Sequence, residues 1–257
     1  VSIRLPVPML ETGRKLRLDL LLVERGLAAS RQKAQALILA GAVRVNGQMA
    51  RKAGLLVEPD AHLEVAGDRQ KYVSRGGWKL EGALRDLSVD PTGRVALDVG
   101  CSTGGFTDCL LQHGARHVYA VDVSPGQLDW KLRNDPRVHI LQKNARYLQP
   151  GDLPEPVELV TVDVSFISVT LLLPAILPLT APGAEWIVLI KPQFELERGQ
   201  VGRGGIVRDP QLHQRAIESV RGAALRLGLE ALDVVPSRLM GSEGNQEFFL
   251  HARAPSR

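Results

Sequence analysis

Seven short apolar runs, at 95–99, 118–122, 138–141, 158–163, 186–190, 231–235 and 247–251, limit what this chain can fold into more than any other feature. Each has the length and the branched aliphatic content of a strand, and helical or loop segments separate them. Strands with little polar alternation have two faces to bury, which a mainly parallel sheet covered by helices provides. The last two runs are joined by a short connection, so an antiparallel hairpin is expected at one edge. The predicted fold is α/β: a Rossmann-like, seven-stranded sheet over 72–257, preceded by a small α+β module over 14–67. Residues 1–13 show no periodic pattern and read as a tail. The polar stretch AGDRQK, 66–71, reads as the hinge, with the linker itself placed at 68–71.

Residues 167–190, ISVTLLLPAILPLTAPGAEWIVLI, are apolar enough to raise the question of a membrane span. Pro174, Pro178, Pro182, Gly183 and Glu185 interrupt them, and a helix, a turn and a strand fit better. The chain has 257 residues, a net charge of +4 and far more arginine than lysine, a balance that suits a polyanionic partner. Its two cysteines, Cys101 and Cys109, offer no disulfide framework or paired metal motif. No secretory signal is read, and the expected location is the cytoplasm.

In RLDLLLVERGLAASRQKAQALILAGAVRVNG, Leu18, Leu21 and Leu22 trace a helix face that stops at Gly26. Ser30 can cap a second helix that Gly41 ends, and AVRVNGQMA alternates around an Asn46-Gly47 turn. Arg17, Arg31, Lys33 and Arg44 flank the helix starts and the first strand, where they can meet a phosphate backbone; solvated surface charge is the alternative. The stretch resembles the small RNA-binding domain of a small-subunit ribosomal protein, of pseudouridine synthases and of bacterial tyrosyl-tRNA synthetases.

VALDVGCSTGGFTDCL reads as a strand, a glycine-rich turn and a helix start. Gly100, Gly104 and Gly105 allow the backbone to bend and approach a ligand, with Ser102 inside the turn. Asp98 is placed at the strand's carboxyl end, where open α/β sheets bind ligands. The loop lacks the G-x-G-x-x-G spacing of a nicotinamide enzyme, and a purely structural turn competes with a cofactor loop. Asp122, about twenty residues on, can accept hydrogen bonds from both ribose hydroxyls of an adenosine. Asn144, after the third strand, can contact the adenine edge. The arrangement resembles that of S-adenosylmethionine-dependent methyltransferases, which implies S-adenosyl-L-methionine as the cofactor.

AEWIVLIKPQFELE ends an apolar strand on Lys191, an expensive place for an unpaired ammonium. Methyl transfer to a ribose hydroxyl needs a general base or a cation that stabilises the forming alkoxide, and lysine can supply either. Lys79, Asp163 and Glu247 stand at other element ends. Taken singly, each has a structural alternative as a cap, a helix-surface residue or a snorkelling side chain. Together they resemble the Lys-Asp-Lys-Glu tetrad of FtsJ-type ribose 2′-O-methyltransferases. YVSRGGWKLEGAL, ALDVGCSTGGFTDCLL, VYAVDVSPGQL, VDVSFIS, IKPQFE and GGIVRDP, in that order, resemble the TlyA family of ribosomal-RNA cytidine 2′-O-methyltransferases. The resemblance implies Lys191 as base or alkoxide stabiliser and Lys79 as second cation, with Asp163 and Glu247 positioning the amines. Glu243 competes for the fourth place. Arg75, in SRGG, and Arg198, Arg203 and Arg208, in a Gly- and Arg-rich segment, are available for phosphates. The implied partner is ribosomal RNA or a ribosomal subunit.

Three other functions compete. A cytosine-5 methyltransferase needs a nucleophilic cysteine, for which Cys101 and Cys109 are poorly placed. A non-catalytic ribosome assembly factor would not need the tetrad. A membrane-lytic haemolysin, a name members of the family have carried, is opposed by the broken apolar stretch. His113 and His117 have helical metal spacing, but Gly114 between them and the lack of a third ligand favour no metal.

Overall fold

The computed structural model describes residues 15–28, 30–65, 71–241 and 243–256; the expected tail at 1–13 and most of the expected linker lie outside them. The chain divides into two units, Val1–Gln70 and Lys71–Arg257.

In the first unit, β1 (Leu16–Arg17) leads into α1 (Leu18–Glu24), followed by α2 (Arg31–Leu39), β2 (Val43–Val45), β3 (Gln48–Met49), β4 (Leu56–Val57) and β5 (Leu63–Val65). Ser30 caps α2 by accepting from the Lys33 amide. Asn46 and Gly47, both at positive φ, turn β2 into β3, the geometry that two-residue hairpins favour. Leu18, Leu21, Leu22, Ala34, Ile38 and Val43 form its own core. The β1–β4 pair is not legible in the sequence, because two residues carry no readable period.

The second unit contains α3 (Arg75–Asp86), β6 (Val95–Val99), α4 (Gly105–Gln112), β7 (His117–Asp122), α5 (Trp130–Arg133), β8 (Val138–Gln142), β9 (Val157–Val162), α6 (Leu173–Ile176), β10 (Thr180–Ile190), α7 (Pro192–Glu195), α8 (Pro210–Arg226), β11 (Glu230–Pro236) and β12 (Phe248–Arg253). The seven strands lie in the order β11-β12-β10-β9-β6-β7-β8, with β12 antiparallel to both neighbours and the central pairs parallel. Alternation along the strands divides the core. Val95, Leu97 and Val99 pack with α6 and α8, whereas Ala96 faces the side covered by α3, α4 and α5. The predicted helix, turn and strand at 167–190 take the form of helical turns and α6 followed by β10. That strand starts at Thr180 rather than Trp186, passing through an irregularity at Pro182-Gly183.

This topology sets up the site. Parallel β6, β7, β9 and β10 deliver their following residues to one edge of the sheet. The reversed β12 brings its amino end to that same edge, since Phe248 pairs with Ile190.

Candidate active site

Asp163 follows β9, Lys191 follows β10 and Glu247 precedes β12, so strand register alone gathers three ionisable groups. Lys79 reaches them from the first turns of α3. Two ion pairs result: Lys79 Nζ lies 2.5 Å from Glu247 Oε2, and Lys191 Nζ lies 2.6 Å from Asp163 Oδ1. Lys191 also donates to Ser165 Oγ at 2.9 Å. Both lysines are nearly buried, at 12% and 11% side-chain exposure, and Glu247 retains only 3%. The contact with Asp163 is one of charge: among the described residues no donor is aligned on its buried Oδ1. Glu243 makes no ion pair with Lys79 among the described residues and lines a neighbouring cavity whose wall also holds Glu247.

Three cavities meet at these pairs. The first, about 420 Å³, is lined by Gly100, Ser102, Asp122, Asn144, Asp163 and Phe166, among others. The second, about 200 Å³, is bounded by Arg75, Lys79, Gly105, Asp163, Lys191 and Glu247. The third, about 370 Å³, has Phe166, Lys191, Gln193, Phe194, Glu243 and Glu247 in its wall. The first and third fall within the size range of small-molecule sites.

The glycine loop is shaped by close approaches. Gly100 has φ +87°, and a Cβ there would stand 2.2 Å from the Asp163 carbonyl oxygen. Ser102 adopts φ +48° and donates its amide to Asp122 Oδ2 at 3.0 Å, while the Ser124 amide donates to Oδ1 at 2.9 Å. Each Asp122 oxygen is thus oriented by the backbone and keeps lone pairs for another donor. Asn144 Oδ1 accepts from the Arg146 amide at 3.0 Å, which fixes the side chain at the cavity and leaves its N–H pair for a ligand.

Two expected cofactor residues sit elsewhere. Asp98 is fully buried on the α4 face, accepting from Thr107 Oγ1 at 2.6 Å and Thr161 Oγ1 at 3.0 Å, and lines none of the three cavities. Strand alternation turns it beneath α4, and burial pushes its carboxyl up to about 6 against those two hydrogen bonds. Gly104, at φ +97°, also lies off the cavities; a Cβ there would meet Leu132 at 2.2 Å, so its small size serves the packing of α5.

The arginines divide as well. Arg17 grips Asp19 through Nε and Nη2, both at 3.0 Å, and Arg31 reaches the same carboxylate at 3.0 Å. Arg17's hydrogen bond, more than any other interaction, holds the Asp19 carboxyl well below the usual range against the opposing effect of burial. Both therefore share one internal carboxylate, although Arg31 is as exposed as Lys33 and Arg44, which make no ion pair among the described residues. Arg75 borders the second cavity. The side chains of Arg198 and Arg203 lie outside the described residues.

Phe166, Gln193 and Ser165 carry no role in the sequence reading. Phe166 is 91% exposed at φ +67°, a strained position for a bulky residue, with its ring centroid 5.3 Å from that of Phe194. An aromatic residue in the turn directly after a strand-end acid is the signal that could have found it. Cys101 and Cys109 are buried, and burial raises both thiols, Cys109 to about 12, which removes the nucleophile a cytosine-5 mechanism requires. Among the described residues, no helix is long and apolar enough to cross a membrane.

Fold and crevice are those of a Rossmann-like methyltransferase, preceded in the chain by a small α+β unit. A family model described as FtsJ-like methyltransferase matches residues 72–254, and one described as S4 domain matches 16–63. The chain is 48% identical over 243 residues to the Mycobacterium tuberculosis 16S/23S rRNA (cytidine-2′-O)-methyltransferase TlyA, covering 94% of this chain and 91% of that protein. A solved structure from Streptococcus thermophilus, described as a haemolysin, superposes with a TM-score of 0.72 at 39% identity, over 95% of this chain and 91% of that one. A Listeria monocytogenes structure described as an S-adenosylmethionine-dependent methyltransferase shares the fold alone, with a TM-score of 0.53 at 15% identity over 70% of this chain and 99% of that one. The chain belongs to the TlyA family.

Proposed function

We propose that the protein is a ribosomal-RNA ribose 2′-O-methyltransferase, moving a methyl group from S-adenosyl-L-methionine to the 2′-oxygen of a cytidine. The observation that carries this reading is the meeting of the Lys79–Glu247 and Lys191–Asp163 pairs where the three cavities join.

The first cavity fits the cofactor: Asp122 can take ribose hydroxyls and Asn144 an adenine edge. When bound there, S-adenosylmethionine supplies an electrophilic methyl group on a sulfonium. Lys191 holds its ammonium where the attacking ribose oxygen gains negative charge, and Asp163 and Ser165 fix its direction. Lys79 adds a second positive charge, itself fixed by Glu247. The 2′-hydroxyl proton departs as the oxygen–methyl bond forms, taken by Lys191 when its amine is neutral or by water when the ammonium acts as stabiliser. Lys33 and Arg44 bind phosphates, and the ribosomal subunit is the partner, in the cytoplasm.

Incubating purified ribosomal subunits with methyl-labelled S-adenosylmethionine tests the reading. Label should enter a cytidine ribose, and Lys191→Ala should lower turnover at least about 100-fold, as loss of an electrostatic stabiliser does. Cofactor affinity should stay within a few-fold. Binding without transfer would instead favour an assembly factor.

A further inference from the structure

We propose that Gln193 reads the base of the target nucleotide, accepting a hydrogen bond from an exocyclic amine on its Watson–Crick edge. This rests on the ribose-methylation reading above and adds to it the residue that selects which nucleotide enters.

Gln193 lies in α7, two residues past Lys191, and both line the third cavity. Its Oε1 is buried and has no hydrogen-bond donor among the described residues. Buried polar atoms are normally partnered; Oε1 is shielded from solvent as the side chain stands, and rotation of the side-chain amide presents it to a donor that arrives in the cavity. The same wall carries Phe166, exposed and held in a strained backbone conformation, and Phe194 next to it. An aromatic face beside an unpaired acceptor fits an unstacked base, since proteins that recognise single-stranded or flipped nucleotides stack them on such rings and hydrogen-bond their edges. One short segment therefore addresses two parts of one nucleotide, Lys191 the ribose oxygen and Gln193 the base.

The acceptor sets the preference. Cytosine presents an N4 amine, a donor, towards Oε1. Uracil presents the O4 carbonyl at that place, so two acceptors would face one another and both would go unpaired. A discrimination of roughly 10- to 100-fold in kcat/KM follows from one such mismatch.

The test uses the full-length protein on ribosomal subunits whose mapped target nucleotide is either cytidine or uridine. Wild-type protein should favour cytidine by that factor. Gln193→Leu, which has no acceptor, should bring the ratio near one, chiefly by lowering kcat/KM on cytidine, with cofactor affinity by calorimetry unchanged. Gln193→Glu, which keeps an acceptor at both terminal positions, should preserve the cytidine preference. An unaltered ratio in Gln193→Leu would overturn the proposal, as would loss of preference in Gln193→Glu with cofactor binding intact, because the amide would then be acting as a donor. Wild-type methylation of riboses without regard to base would sink the base-reading role alone. Absence of ribose methylation by wild-type protein would sink it together with the function it rests on.

Discussion

Lys79 and Glu247 form a nearly buried ion pair, with 2.5 Å between Nζ and Oε2. Glu247 is 3% exposed, so removing its ammonium partner strands a buried carboxylate, a loss of about 3–5 kcal/mol. Lys79→Met should accordingly lower the unfolding free energy by that order in denaturant titrations. Lys79→Met combined with Glu247→Gln should recover most of the stability while leaving methyl transfer impaired. Asp98 makes a separate prediction. Its folded pKa, about 6, lies above the ordinary carboxylate value, so the folded state binds the extra proton. Its contribution is then most favourable below about pH 4 and is lost as pH rises through about 6, by an order of 3 kcal/mol. The difference in unfolding free energy between wild type and Asp98→Asn should shift against the wild type across that window.

At the level of elements, the glycine loop after β6 and the residue that follows β9, Asp163, touch backbone to backbone. Asp163 donates its amide to the Val99 carbonyl at 2.9 Å, and its own carbonyl occupies the place of a Gly100 Cβ. Gly100→Ala must displace one of these segments as well as adopt φ +87°, so a destabilisation of about 1–3 kcal/mol is expected. Cofactor affinity should fall more than tenfold, and calorimetry with thermal unfolding reads both effects. Glu195 ties two elements in the same way, accepting from Ser168 Oγ at 2.5 Å and the Val169 amide at 2.9 Å. It thereby joins α7 to the turn that holds Ser165 and Phe166.

Across the whole molecule, basic residues have unequal work. Lys33 and Arg44 are exposed, so replacing both with Glu should weaken binding to ribosomal RNA and flatten its salt dependence by roughly 0.7–0.9 in log–log slope for each phosphate no longer neutralised. Arg31 shares the Asp19 carboxylate, and Arg31→Ala should chiefly lower thermal stability of the first unit. The sequence by itself determined the strand series, the edge hairpin, the glycine turn and the four ionisable residues of the crevice, because period, turn chemistry and charge at strand ends are local properties. Only tertiary structure decided which of those residues meet. Side-chain alternation buried Asp98 under α4, helix packing rather than ligand approach claimed Gly104, and a reversed strand set Glu247, not Glu243, against Lys79. Phe166 and Gln193 stayed unread for the same reason: exposure and an empty hydrogen-bond valence belong to the surroundings of a side chain, and those surroundings come from residues distant along the chain.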